Sequence, residues 1–277
     1  MTRPVRCACW QLLVLIAPLL ALLPDGVHGQ DFKVATRLLQ RNADGARWTE
    51  VGQSVTLFHA GKVYDYMQQI GEVIVLEPTE SQFVILCVNG NNLATTLNFA
   101  ELQQFLKVAE SEMQGHLRQL ADEGEASAKR RQAIEFQLNP RFQESHDPAG
   151  KTLSFISPLL RYDVETAAID RPQVAQQYLQ YADWAARMNY VLHARSLYPS
   201  VRLAVNRSLA ERERIPTEVR LLLEGDVPLH LKAEHKYDWT LGSIDKSIIL
   251  KCEKLRTDEA TRWVNFREYQ RTLTAQK

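Results

Sequence analysis

LHLKAEHKYDWTL, residues 229–241, divides its side chains into two sets. Leu229, Leu231, Ala233, His235, Tyr237, Trp239 and Leu241 fall on one parity, and His230, Lys232, Glu234, Lys236, Asp238 and Thr240 on the other. Successive side chains of a β-strand point to opposite faces, so the split predicts a strand with an apolar flank against a core and an ionic flank toward water. At about 3.3 Å per residue such a strand reaches about 43 Å. A strand of that length belongs to a curved sheet or bends at a bulge.

The chain upstream shows the two-residue period in blocks. Strand-like segments over about 32–42, 47–60, 62–68, 72–77, 82–88 and 93–98 are separated by the turn signals NADG, AG, EPTES and NGNN, which predicts an antiparallel meander. EVIVLE (72–77) and QFVILCV (82–88) are apolar on both parities and read as central strands covered on two faces. From Phe99 the period changes: Leu102, Phe105, Leu106, Ala109, Met113, Leu117 and Leu120 form a helical stripe that breaks near Gly124 and resumes to Leu138. LSFIS and LLRYDVETA predict two further strands. A helix capped at Asp170, with Pro172 in its first turn, carries Val174, Tyr178, Ala182, Trp184, Met188 and Val191. A shorter helix over 201–213 precedes the strand TEVRLLLE, which the turn GDVP joins to 229–241. Helices started by Ser243 and formed around Trp263, Phe266 and Leu273 complete the pattern. The fold class is α+β: a curved, mostly antiparallel, half-barrel-like sheet with helices inserted between strands and packed on it. No linker or repeat divides residues 30–257, which read as one domain, with 258–277 as a C-terminal helix docked on it.

In TLFHAGKVYDY, residues 56–66, a two-residue turn at Ala60-Gly61 sets His59 opposite Lys62, Leu57 opposite Tyr64, Thr56 opposite Asp65 and Val55 opposite Tyr66. Leu57, His59, Lys62, Tyr64 and Tyr66 then share a face, and Asp65 points away from it. His59 and Asp65 therefore do not make a base and its orienting carboxylate. His235 lies on the apolar parity of its strand, where burial disfavours its charged form. It reads as a hydrogen-bonded core histidine or as a polar handle in an apolar cavity walled by Tyr237 and Trp239. His230 and Glu234 stand about 13 Å apart along a strand, too far for one metal ion. H-E-x-x-H, G-x-S-x-G, the P-loop and G-x-G-x-x-G do not occur, nor does C-x-x-C after residue 29. No catalytic residue, metal or cofactor is assigned on this basis.

The chain has 277 residues with 33 Lys and Arg against 33 Asp and Glu. Residues 1–29 carry Arg3 and Arg6, an apolar run from Trp10 to Leu23 and the small-residue site Val27-His28-Gly29, the pattern of a cleaved secretory signal peptide. The run, punctuated by Pro18 and Pro24, is shorter than the roughly 20 apolar residues a membrane span needs. Cys7 and Cys9 precede it, so neither is placed as a lipid acceptor. Loss of Arg3, Arg6 and Asp25 leaves a formal charge of −1, which excludes a strong general pull on nucleic acid or anionic membranes. The expected location is the periplasm or the cell exterior. There Cys87 and Cys252 are free to form a disulfide, although their settings, FVILCV and SIILKC, also fit two separate buried thiols.

TLFHAGKVYDY, QYADWAARMN, RIPTEVRLLLE and EHKYDWTLGSIDKSII, in this order, resemble a group of secreted proteins of planctomycete-type bacteria over most of residues 47–250. That resemblance brings no catalytic residues with it. In architecture, a secreted chain of long antiparallel strands interrupted by helices is similar to the lipoprotein-carrier (LolA-like) superfamily, whose curved half-barrel cups acyl chains. The expectation is a non-enzymatic protein that binds a lipid or other hydrophobic ligand between sheet and helices. Its candidate lining is Leu57, Tyr64, Tyr66, Leu231, His235, Tyr237 and Trp239. The alternatives are a cell-envelope scaffold with a protein partner, using a sheet edge or the helix around EATRWVNFREYQRTL, and an envelope hydrolase.

Overall fold

The computed structural model describes residues 30–41, 47–88, 92–147, 151–193, 196–224 and 229–275. Residues 1–29, expected to be a signal peptide, the turns NADG and GDVP and most of NGNN lie outside them. Six strands come first: β1 (Phe32–Arg41), β2 (Trp48–His59), β3 (Lys62–Met67), β4 (Glu72–Glu77), β5 (Gln82–Cys87) and β6 (Leu93–Asn98). They pair in order as an antiparallel meander. Between β2 and β3, Ala60 and Gly61 both take positive φ, 49° and 76°, as a tight turn matched to strand twist demands. The register is the expected one, with His59 opposite Lys62 and Thr56 opposite Asp65.

Asn98 ends β6 and caps α1 (Phe99–Asp122): its side chain accepts the Glu101 N–H at 2.8 Å, and the Glu101 carboxylate accepts the Asn98 N–H at 3.2 Å. A 3-10 turn, Gly124–Ser127, separates α1 from α2 (Ala128–Leu138), and the Ser127 hydroxyl donates to the Leu120 carbonyl at 2.6 Å there. The remaining elements are β7 (Gln143–Asp147), β8 (Thr152–Ile156), β9 (Leu160–Ala168), α3 (Pro172–Leu192), α4 (Pro199–Glu211), β10 (Arg214–Leu223), β11 (Leu229–Asp238), α5 (Ser243–Thr257), β12 (Arg262–Trp263) and α6 (Phe266–Ala275). The twelve strands of the described residues form one open, curved sheet in the order β12-β6-β5-β4-β3-β2-β1-β11-β10-β9-β8-β7. β12 lies parallel on β6, and the other pairs are antiparallel. Register shifts at Leu38/Leu39 and at Pro216/Glu218 bend the central strands.

The structure departs from the sequence expectations at several points. β11 has ten residues, not the 13 of the alternating stretch, because β1 offers it no partner beyond Lys33, which pairs with Asp238. Trp239 leaves the ladder there. β7, whose five residues QESHD are all exposed, has no apolar period to announce it and exists by pairing with β8. Residues 258–277 are not helical throughout, since Arg262 and Trp263 form β12 before α6 begins. Arg171 rather than Asp170 occupies the cap position of α3, and Gly242 rather than Ser243 that of α5, with the Gly242 N–H donating to Asp245 at 2.8 Å.

One face of the sheet carries the main core, in which Phe32, Val34, Phe58, Ile74 and Phe83 pack against Val174, Tyr178 and Leu179 of α3 and Phe266 and Tyr269 of α6. The fully buried Tyr269 donates its hydroxyl to Glu72 at 2.6 Å. On the opposite face Leu57, Tyr64, Val73, Val75, Val84 and Leu86 lie beneath Ile249 and Cys252 of α5. β4 is accordingly buried at every position, as its two-sided apolar sequence predicts. A cluster of charges fastens α5. Glu77, buried in β4, meets Arg256 at 2.7 and 3.0 Å and Lys62 at 2.8 Å, while Glu253 takes the Tyr64 hydroxyl at 2.7 Å. Burial alone would raise the Glu77 carboxyl, but Arg256 and Lys62 hold it down at about 2. On the same face of β2, β1, β11 and β10 an ionic ladder meets solvent, with Arg37 on Glu50 (3.0 Å) and Glu234 (3.3 Å), and Lys232 on Glu234 (2.6 Å).

The two thiols are free. Cys87 packs on the α3 side of the sheet and Cys252 on the α5 side, so the sheet itself stands between them and the disulfide is corrected to two separate thiols. Burial pushes the Cys252 thiol up to about 11. Alkylation of the denatured, unreduced protein with iodoacetamide is expected to label both Cys87 and Cys252, read by peptide mass. Arg256→Ala, which leaves the buried Glu77 carboxylate with Lys62 and Gln82 as its remaining partners, should lower stability by about 1–3 kcal/mol in urea unfolding. Arg161→Ala, which removes an exposed partner of Asp163, should cost less than about 1 kcal/mol.

Candidate functional site

On the α3 face, four adjacent strands align their side chains in rows. Tyr237, Val34, Thr56 and Asp65 stand opposite one another across β11, β1, β2 and β3. The next row is His235, Thr36, Ser54 and Met67, and the one beyond it Ala233, Leu38 and Gly52. Polar side chains thus replace the phenylalanines of the neighbouring core. Above them α3 presents Tyr178, Tyr181 and Asn189 and the small Ala182, Ala185 and Ala186, and α4 presents Arg202. The short side chains leave a cavity of about 180 Å³ at the inner end. A wider recess of about 420 Å³ adjoins it, where the apolar Leu38, Val51, Met67, Ile70 and Ala233 are joined by Gln53, Gln69 and His193. Thr36, Ser54, Asn189, Arg202 and His235 line both.

Asp65 accepts the Thr56 hydroxyl at 3.0 Å and is also hydrogen-bonded by Tyr181 and Ser54. Burial raises its carboxyl above the usual range, and the three hydroxyls pull against that rise. His235 shares a hydrogen bond of 3.0 Å between Nδ1 and the Thr36 hydroxyl. Burial, with the nearby charge of Arg202, pushes its imidazole down to about 3. Its Nε2 is shielded from solvent and has no protein partner among the described residues, an unmet hydrogen bond worth about 1–3 kcal/mol. A ring this reluctant to take a proton is a poor general base for the Thr36 hydroxyl, so the pair offers polarity rather than an activated nucleophile. Arg202 is half-buried, and its Nε donates to Asn206 Oδ1 at 3.2 Å. The Asn206 amide in turn donates to Asp183 at 2.8 Å. This relay orients the guanidinium from behind, and Arg202 forms no ion pair among the described residues.

The seven residues expected to line one cavity are divided by the sheet. Leu57, Tyr64 and Tyr66 face α5, where Leu57 and Tyr64 are packed core and the Tyr64 hydroxyl is bound to Glu253. Leu231, His235 and Tyr237 belong to the α3 face, and of these His235 lines the cavity. Tyr237 supports it from beneath, with its ring 5.5 Å from Tyr178 and its hydroxyl donating to the Pro216 carbonyl at 2.8 Å. Trp239, past the end of β11, is 38% exposed and stacks on Tyr237. The register explains the division. His235 faces Thr36 and Thr36 faces Ser54, so even-numbered residues of β2 share the histidine's side and Leu57 cannot.

His59 pairs with Asp31 at 2.9 Å near the surface and has no tie to Asp65, as the hairpin parity requires. Sequence reasoning did not single out Thr36, Ser54, Asp65, Tyr181, Asn189 or Arg202 as wall residues. The available signal was Thr56 opposite Asp65, a polar pair on the parity of the buried Phe58 and Val63. The chain matches no protein-family model and no curated protein, so the chemistry of the cavity is read from its own groups.

Because the folded His235 binds its proton less tightly than an unfolded histidine of about 6.5, its contribution is intact above pH 6.5 and is lost as pH falls toward 3. The unfolding free energy from urea titration should therefore decline between pH 6.5 and 4.5, by up to about 1.4 kcal/mol per pH unit. In His235→Gln that decline should shrink, measured at pH 7.0, 5.5 and 4.5.

Proposed function

We propose that this protein is a non-enzymatic binder of a hydrophobic ligand, lipid-like or acyl in kind, acting in the periplasm or outside the cell with the α3-face cavity as its receptor. The observation that carries this reading is the form of the recess. Its mouth holds large apolar side chains in water, Val51 at 50% and Ile70 at 53% exposure, and its inner end is polar and enclosed by β1, β2, β11, α3 and α4. Apolar walls with a few convergent polar groups, in a volume of hundreds of cubic ångströms, are the ordinary make-up of a small-molecule site. The architectural likeness to lipoprotein carriers, itself a proposal, points the same way. The envelope-scaffold alternative draws less support, since Phe266 and Tyr269 of the segment EATRWVNFREYQRTL are buried in the domain's own core, although Trp263 is exposed. The hydrolase alternative draws less support, since burial makes the His235 imidazole a weak proton acceptor.

The fluorescent probe N-phenyl-1-naphthylamine should bind the purified protein. Val51→Glu and Ile70→Glu, both at half-exposed positions, should weaken that binding about tenfold with unchanged urea midpoints. A wild-type protein that takes up no probe, and that native mass spectrometry finds free of any co-purifying lipid, would overturn the reading.

A further inference from the structure

We propose that the ligand carries a carboxylate, and that this end group seats on the terminal nitrogens of Arg202 at the junction of the two recesses, its apolar part running out past Leu38 and Met67 to Val51 and Ile70. The inference rests on the cavity being a receptor at all, and it adds the chemical class of what enters.

Arg202 is the cation of both recesses. With Nε committed to Asn206, and Asn206 committed to Asp183, the guanidinium is held from one edge and keeps its two terminal nitrogens for another partner. A half-buried guanidinium with no ion pair among the described residues is costly unless an anion is supplied, and its planar fork matches a carboxylate in two parallel hydrogen bonds. Asp65 lines the same recess without serving as that anion, because Thr56, Tyr181 and Ser54 occupy it. Its position decides between anions. A phosphate dianion would set two charges near the Asp65 carboxyl on the cavity floor, whereas a monoanion meets one guanidinium with one charge. The neutral His235 adds no second cation to favour a dianion. The side chains of Thr36, Ser54 and Asn189, which line both recesses, surround the seat with neutral hydrogen-bonding groups. The apolar mouth begins one row further out, at Ala233 and Leu38, so the two chemistries lie in the order that an amphipathic carboxylate presents them.

The test is displacement of N-phenyl-1-naphthylamine from the full-length mature chain by decanoate and by decan-1-ol at pH 7.5, alongside the melting temperature with and without benzoate. Decanoate should bind about tenfold or more tighter than decan-1-ol. Arg202→Gln should bring decanoate down to the affinity of the alcohol for the same variant. Arg202→Lys, which keeps the charge and loses the fork, should retain part of the preference and serves if the glutamine variant does not fold. Benzoate should raise the melting temperature of the wild type and not that of the variants lacking the fork. Equal binding of decanoate and decan-1-ol by the wild type, or a preference that survives in Arg202→Gln, overturns the carboxylate seat while leaving the hydrophobic receptor standing. An Arg202-dependent benzoate effect without any binding of probe or decyl compounds supports the seat and overturns the receptor reading. No binding of any of them overturns both.

Discussion

Lys33 to Gln40 of β1 form a ladder with Asp238 to Leu231 of β11, and that ladder joins what would otherwise be two sheets. Its members are far apart in the chain: Thr36 and His235, which share a side-chain hydrogen bond across it, are separated by 199 residues. The entropic cost of closing such a loop grows only with the logarithm of its length, so a distant pairing is affordable once two extended apolar flanks are available to meet. Everything at the cavity follows from this register. It sets His235 against Thr36, and through β2 it carries the same row on to Ser54 and Met67. A slip of one residue would turn His235 toward the ionic ladder and Lys236 or Glu234 toward Tyr178.

The two faces of the sheet are closed by different means. The main core is closed by helices whose apolar stripes bury aromatic rings, with Phe32 on Phe58 at 3.9 Å and Phe99 on Trp184 at 3.8 Å. The opposite face is closed over β3 to β5 by α5, with Leu241 packed beside it, and this one helix is fastened by a charge cluster as well as by Ile249 and Cys252. Within that cluster Glu77 is almost wholly buried, so its pairing with Arg256 and Lys62 avoids a large desolvation penalty rather than adding a large net gain. Past the reach of α5, the same face turns to alternating charges and meets water directly. The cavity opens on the helical face, where the rows of the sheet change from aromatic to polar and α3 answers with alanines instead of bulky side chains.

Much of this was legible in residue patterns. The strand periods of the first six segments, the two-residue turn at Ala60-Gly61, the double-sided burial of β4 and the helical stripe from Phe99 each depend on neighbours close in the chain, and each appears where the pattern places it. The expected cup failed for a reason of the same kind. Parity within the 56–66 hairpin correctly separated Asp65 from Leu57, His59 and Tyr64, and parity within 229–241 correctly grouped Leu231, His235 and Tyr237. What parity inside a strand cannot report is which side of one strand matches which side of another that it meets only after folding. Both apolar sets looked inward, but they looked toward different interiors.

The sequence by itself determined the elements, their faces and the chemistry that each face carries, because those depend on backbone periods of two and 3.6 residues and on turn geometry. It also confined the charged groups of 229–241 to one flank. Tertiary structure alone decided that Asp65 and His235 share a floor, that Arg202 from α4 reaches over it without an ion pair among the described residues, and that Cys87 and Cys252 lie on opposite sides of the sheet. Those relations are set by the register between β1 and β11 and by where α3 and α4 pack, and such long-range contacts are products of the whole core closing together.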